Sequence, residues 1–352
     1  MKKRKKTKKI FVGPVAVGGD APISVQSMTN TDTRNARSTV AQIRRLEKAG
    51  CDIIRVAVPD DEAAESLHEI VRRARIPVIA DIHFDYRLAL QSMDAGVHGI
   101  RINPGNIGSR QRVAAVVKRA ASQGIAIRVG INSGSLEKDI LKKYGHPCAE
   151  ALAESALRNI VLLESMDCGM MKISIKSADV RTCVEAYRLV SKQTRHPLHI
   201  GITEAGTSFS GSIKSALGLG ILLEQGIGDT LRVSLSADPV EEVRVGFEIL
   251  KFLGLRRRSP ELISCPTCGR RRVDVVSIAK KVEKKIAGLE LPIKVAVMGC
   301  EVNGPGEAKE ADIGIAGSKT YGVLFKKGKI IARCSKEALL ERLLAEIETL
   351  KP

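Results

Sequence analysis

Two cysteines three positions apart, Cys265 and Cys268 in "SCPTCGR", and a third, Cys300 in "MGCEVNGPGE", supply thiolates that one chain can turn toward a single metal centre. Glu307 closes the second stretch, where glycines and a proline can form a tight loop that holds its carboxylate near Cys300. A C-x-x-C pair by itself serves redox dithiols, zinc sites and cluster edges alike. Two ligand sets are open. With Cys334 as fourth thiolate the site would be closed structural zinc. With Glu307 as fourth ligand, Cys265, Cys268 and Cys300 would hold a 4Fe-4S cluster with one distinct iron, able to donate electrons and act as a Lewis acid. Cys51, Cys148, Cys168 and Cys183 are expected to be buried apolar residues.

A second set of residues could grip a dense anion. Arg55, Arg101 and Arg128 each fall within or just beyond a β-prone run, and planar guanidinium forks match the oxygen pairs of phosphate or diphosphate. Lys176 adds a point charge, with Lys172 on the same side of "MKISIKSAD" as the alternative. Asn103, Asn132 and Ser234 can orient oxygens without changing charge, and Arg232, two residues before Ser234, points the same way. His83 lies two residues after Asp81, and at the barrel mouth both would face one side of an extended segment unless a turn separates them. Glu204, after "LHIGIT", is a candidate acid or base if apolar enclosure raises its pKa, or else the partner of an arginine. His199, inside an apolar strand, is expected in the core. No Walker loop and no nicotinamide or flavin fingerprint is present, so electrons for a cluster would arrive from a reduced flavodoxin or ferredoxin.

The elements that must position these groups alternate. β-prone runs at 23–28, 52–58, 77–82, 98–103, 125–130, 171–176, 198–203 and 230–235 are separated by helix-length segments. Eight strands in that order predict a (β/α)8 TIM barrel over residues 20–255, with the carboxyl ends of all eight strands at one mouth. Residues 256–260 read as a linker, because an arginine run meets Pro260. Residues 261–352 then predict a smaller α+β domain: strands at 261–264, 294–299, 312–317, 321–325 and 329–333, and helices at 273–287 and 336–350. Leu339, Leu340, Leu343, Leu344 and Ile347 form the docking face of the last helix.

With 352 residues, 44% of them hydrophobic, the chain can bury more than one core. Its net charge of +18 raises nucleic acid as a partner, but the chain has no Trp, few Tyr and Phe, and no reading motif, which argues against it. Much of the excess lies in "MKKRKKTKK", expected to be a solvated, poorly ordered tail within a lead-in of residues 1–19. No membrane-spanning run and no secretory leader is recognised, which points to a cytoplasmic enzyme whose thiols stay reduced.

Together "VQSMTNTDT", "DIIRVAVP", "ADIHFD", "RINPGNIG", "RVGINSGS", "GITEAG" and the two metal segments cover both domains. This set resembles bacterial 4-hydroxy-3-methylbut-2-enyl diphosphate synthases, iron-sulfur oxidoreductases of non-mevalonate isoprenoid synthesis. The resemblance implies reductive ring opening and dehydration of 2-C-methyl-D-erythritol 2,4-cyclodiphosphate by two electrons. It implies Cys265, Cys268, Cys300 and Glu307 as cluster ligands and Arg55, Arg101, Arg128 and Lys176 as a diphosphate clamp. Asn103, Asn132, Arg232 and Ser234 would support the clamp, Glu204 would donate a proton, and the enzyme would be a homodimer. The large middle domain of plant-type relatives is not seen between the two domains, since the eighth strand leads quickly to Pro260 and the metal domain. A zinc-stabilised barrel enzyme acting on a phosphorylated metabolite without redox chemistry is the competing reading.

Overall fold

Strands buried on both faces need cover outside and filling inside, and the first half of the chain supplies both. The computed structural model describes residues 2–287, 289–300, 306 and 308–350, in two compact units that divide between Arg256 and Arg257. A short hairpin, β1 (Ile10–Val12) and β2 (Val15–Val17), comes first. Eight parallel strands follow: β3 (Ser24–Met28), β4 (Ile53–Ala57), β5 (Val78–Asp81), β6 (Gly99–Ile102), β7 (Ala126–Asn132), β8 (Met171–Lys176), β9 (His199–Ile200) and β10 (Thr230–Leu231). Each pairs with its neighbour in sequence, β10 pairs with β3, and an Ile173–Leu198 bridge joins β8 to β9 and closes the ring. The expected TIM barrel is therefore the observed fold.

Alternation decides what fills the ring. Ile54, Val56, Val78, Ala80, Ile100, Ile127, Val129, Ile173 and Ile175 pack in the main core with the surrounding helices. Ile53, Ile79 and Ala126 point inward and meet Ile10, Val12 and Val17 of the hairpin, which plugs the amino-terminal end of the barrel. Two residues further along the same strands stand Arg55, Asp81 and Arg128, about 7 Å nearer the mouth. Many return helices start on side-chain caps: Asn35, Asp60, Asp85, Asp179 and Asp238 each accept a hydrogen bond from a first-turn amide.

The basic amino terminus is not the solvated tail expected from its composition. Backbone amides of Lys2, Lys5 and Lys8 donate to the carbonyls of Glu224, Gly226 and Arg195. The Arg4 guanidinium donates to Ala21 O at 2.6 Å and Gly19 O at 2.7 Å. Thr7 is buried and donates to the Asp229 carboxylate at 2.9 Å. Backbone carbonyls at helix ends and glycine turns, which composition does not reveal, are the partners that hold this segment. At the same amino-terminal end of the strands, Arg256 donates to both carboxylate oxygens of Asp52, at 2.5 and 3.0 Å, and so belongs to the first unit.

β9 and β10 end sooner than their apolar runs. Beyond them, Thr203 N donates to Ser177 O and Leu235 N to the Glu242 carboxylate, so loop and side-chain acceptors replace the ladder at the mouth.

In the second unit β11 (Glu261–Ser264), β12 (Lys294–Met298), β13 (Ile313–Gly317), β14 (Gly322–Lys326) and β15 (Lys329–Cys334) form one sheet in that order, the first three parallel and the rest antiparallel. Helices Val275–Ile286 and Leu339–Glu348 cover one face through Val275, Val282, Ile286, Leu339, Leu343 and Ile347. Leu340 and Leu344 are partly buried at the edge of that cluster. Among the described residues no helix is long and apolar enough to cross a membrane.

Candidate active site

Parallel registration places Asp81, Arg101, Arg128 and Lys172 side by side on four adjacent strands. All four are at least 97% buried. Arg101 reaches Asp81 at 3.2 Å and Arg55 reaches it at 3.5 Å. Arg101 lies across β7 because residue 130 is glycine: a Cβ there would fall 2.5 Å from its Nε. Arg55 also donates to Met28 Sδ at 3.0 and 3.2 Å, and Arg232 approaches the same sulfur at 3.6 Å. Arg128 is fully buried, and none of its three guanidinium nitrogens has a hydrogen-bond partner among the described residues. Such a group is stable only if water or an anion completes it.

The electrostatics follow from one carboxylate among several cations. Burial raises the pKa of Asp81, but Arg55, His83, Arg101 and Arg128 outweigh it and hold the carboxyl well below its usual range. Burial, then repulsion from Arg55 and Arg101, pulls Arg128 well down. Burial lowers Arg55 to about 10, opposed by Asp81. Lys176 is also pushed well down, by burial and then by Arg55 and Arg128. A barrel interior this rich in cation and poor in counter-charge is built to receive negative charge.

The remaining mouth residues fall into three groups. Asn103 accepts from Gly105 N and donates to Ser135 Oγ, both at 3.2 Å, so its amide is held at the head of a short helix. Asn132 ends β7 in register with Lys176, while Ser234 is half-buried in the loop beyond β10. His83 stands 3.6 Å from Asp81 and 3.5 Å from Arg101, with its ring half exposed. Glu204 is exposed, so the apolar enclosure expected around it is not supplied by the barrel, and it makes no ion pair among the described residues. Its φ of +50° is a left-handed conformation uncommon outside glycine. His199 is buried as expected, bonded to Thr230 Oγ1 at 2.5 Å.

Sequence reasoning gave Asp81 no role and passed over Glu242. Glu242 is buried and accepts from Ser27 Oγ at 3.1 Å and from Leu235 N at 3.0 Å, with Arg232 at 3.5 Å. Its signal was a doubled glutamate in the first helical turn of "DPVEE", where one carboxylate suffices for the dipole. Met28 carried no signal.

In the second unit Cys265 follows β11 and Cys300 lies two residues past β12, on adjacent parallel strands. Gly299 N donates to Cys265 Sγ at 3.1 Å. Cys268 is exposed, and the backbone N–H and guanidinium of Arg270 hold its thiol below the usual value despite slight burial. A backbone donor on one sulfur and cationic loop residues beside another suit a negatively charged thiolate centre. Among the described residues no three metal-ligating side chains are already drawn together, and Glu307 lies outside the described residues. Cys334 ends β15, three strands from β12 and four from β11, hence about 14 and 19 Å away at 4.8 Å per strand. Sulfurs sharing one zinc at roughly 2.3 Å each cannot be so far apart, which removes Cys334 from a common centre with Cys265 and Cys300. Cys51, Cys168 and Cys183 are buried; Cys148 is only partly so.

Fold and site together define a (β/α)8 barrel protein with a guanidinium-lined mouth, joined to a cysteine-bearing α+β unit. A model described as GcpE TIM-barrel domain matches residues 7–247, and one described as GcpE protein C-terminal domain matches residues 261–349. The chain belongs to the GcpE family. It is 59% identical over 351 residues to 4-hydroxy-3-methylbut-2-en-1-yl diphosphate synthase (flavodoxin) of Desulfotalea psychrophila, covering 99% of this chain and 96% of that protein. It is 57% identical over 347 residues to the protein of the same name from Clostridium acetobutylicum, covering 99% of both. The resemblance drawn from the motifs is thus borne out. Among solved structures, 3-dehydroquinate dehydratase from Geobacillus kaustophilus matches with a TM-score of 0.50 at 14% identity, over 70% of this chain and 97% of that one, and shares the fold alone.

Proposed function

We propose that this protein converts 2-C-methyl-D-erythritol 2,4-cyclodiphosphate to 4-hydroxy-3-methylbut-2-enyl diphosphate, taking two electrons from a reduced flavodoxin and releasing water. The observation that carries the reading is the buried Arg128 guanidinium, without a hydrogen-bond partner among the described residues, standing with Arg55, Arg101 and Lys176 around the Asp81 carboxylate. These four cations hold the diphosphate, and Asn103, Asn132, Arg232, Ser234 and His83 orient its oxygens and the sugar-derived carbons. Anchoring both phosphates fixes the ring, so the strained carbon–oxygen bond is presented in one orientation. Glu204, exposed on its left-handed turn, carries the proton that lets the neighbouring hydroxyl leave as water.

Cys265, Cys268, Cys300 and Glu307 hold a 4Fe-4S cluster. When bound, that group supplies electron transfer and a Lewis-acidic iron. The Gly299 amide on Cys265 supports the assignment by stabilising thiolate charge. The protein works in the cytoplasm. It acts as a homodimer: helix Ser208–Glu224 leaves Phe209, Ile213 and Leu217 exposed by 80, 56 and 57%. These residues form one row at i, i+4, i+8, beside the small residues Ser212, Ala216 and Gly220. A large row next to a small row fits a second copy of itself about a twofold axis.

Anaerobic purification with iron, sulfide and zinc analysis tests the reading. Close to four irons and four sulfides per chain are expected; a colourless protein with stoichiometric zinc and no sulfide would defeat it. Ile213→Asp should shift sedimentation to a monomer, and an unchanged dimer would remove this helix from the interface.

A further inference from the structure

Lys172 is a buried basic group inside the barrel that the proposed chemistry leaves unused. It is 1% exposed and stands at the inner end of β8, directly in register with Arg128. Lys176 lies four residues further along the strand, about 13 Å nearer the mouth. The Lys172 Nζ has no hydrogen-bond partner among the described residues. The charges that act on it most are cationic, Arg128 in register on β7 and Arg55 on β4, with Arg101 on β6, Lys176 on its own strand and Arg232 beyond β10 further round the same ring. His199 on β9 is engaged by Thr230. Asp81 on β5 is taken by Arg55 and Arg101. Glu242, from helix Pro239–Phe252, is taken by Ser27, Leu235 N and Arg232.

We propose that Lys172 is a positioning residue that remains an uncharged amine in the ligand-free barrel and takes up one proton from solvent when the cyclic diphosphate fills the mouth above it. Arrival of the dianion reverses the local balance of charge, and the new ammonium completes the cationic floor beside Arg128. Amine and solvent proton give ammonium, with no other bond changed. Burial and then the charges of Arg128 and Arg55 already push this amine down to about 7, so it is mostly neutral above that pH. The group is charged in both states well below its free value, so uptake fades there and grows as pH rises. Because binding consumes a proton, affinity should fall as pH climbs toward the bound-state value.

The inference rests on the diphosphate reading above, and the experiment separates the two. Titration calorimetry uses the full oxidised protein without electron donor, with 2-C-methyl-D-erythritol 2,4-cyclodiphosphate as probe, in two buffers of different ionisation heat. At about pH 8 the native protein should take up most of one proton per ligand bound. Lys172→Arg, permanently charged, and Lys172→Met, never charged, should both bind without that uptake. In parallel, the lysine side-chain carbon resonance that disappears in Lys172→Arg should report a neutral amine in the ligand-free protein at that pH. Uptake that persists in both variants, or a resonance of a charged ammonium, would overturn the inference. Failure of the native protein to bind the cyclic diphosphate would instead overturn the diphosphate reading, and the resonance would still decide the resting charge of Lys172.

Discussion

Replacing Asp81 by asparagine keeps shape and removes the carboxylate that the buried guanidinium groups share. Its contacts with Arg101 at 3.2 Å and Arg55 at 3.5 Å are each worth about 5 kcal/mol at an effective dielectric of roughly 20. Desolvation of the carboxylate offsets several kcal/mol of that sum, leaving a net loss of about 3–5 kcal/mol when one partner of such a buried set is removed. The phosphates of a bound ligand supply the same kind of charge to the same cations. The variant should therefore be strongly destabilised when free, and saturating cyclic diphosphate should close the gap to the native protein by about 2 kcal/mol. Urea unfolding followed by circular dichroism, with and without ligand, measures both quantities. A free-state loss below about 1 kcal/mol would show that Asp81 is not the shared counter-charge. A gap untouched by ligand would show that the diphosphate does not reach these cations. The pH dependence has a defined sign. The folded pKa of Asp81 is depressed, so its contribution is complete above about pH 4 and lost as pH falls from there toward the folded value. The asparagine variant should lack that acid limb.

Three further outcomes follow from the same geometry. Arg128→Met removes a buried cation without a protein partner, so the free barrel should be as stable as before or more so, while the rise in melting temperature caused by cyclic diphosphate should vanish; an undiminished rise would take Arg128 out of the clamp. Cys334→Ala should retain the iron of the native protein and Glu307→Ala should not retain normal cluster content or turnover, whereas iron lost only from the Cys334 variant would reverse the assignment. Thr7→Val strips a buried hydrogen bond from Asp229 and the acceptor of Gly19 N, and should cost about 1–3 kcal/mol in urea unfolding; a change within error would mean the docked amino terminus adds little.

The sequence by itself determined the elements. Period-two runs followed by capped amphipathic helices leave few alternatives to a closed parallel barrel, and the eight predicted strands lie where the eight observed ones do. The cysteine spacings and the arginines after Ile54, Ile100 and Ile127 were also readable, because an ionised group in an apolar strand must have a purpose. Tertiary structure decided which charges meet. Asp81 and Arg101 are 20 residues apart and Arg232 and Glu242 are 10 apart, yet only strand registration and the helix return make them neighbours. Lys172 and Lys176 share a strand face and look equivalent in the sequence; the ring separates them into a buried floor and a half-buried rim. Cys334 looked as eligible as Glu307 until the sheet order put two or three strands between its own strand and those that lead to the other thiols. The basic amino terminus looked solvated until backbone carbonyls far along the chain proved to hold it. Local pattern fixes periodicity because it depends on neighbours in the chain. Charge compensation, ligand distance and desolvation depend on neighbours in space, and those exist only once the ring and the sheet have formed.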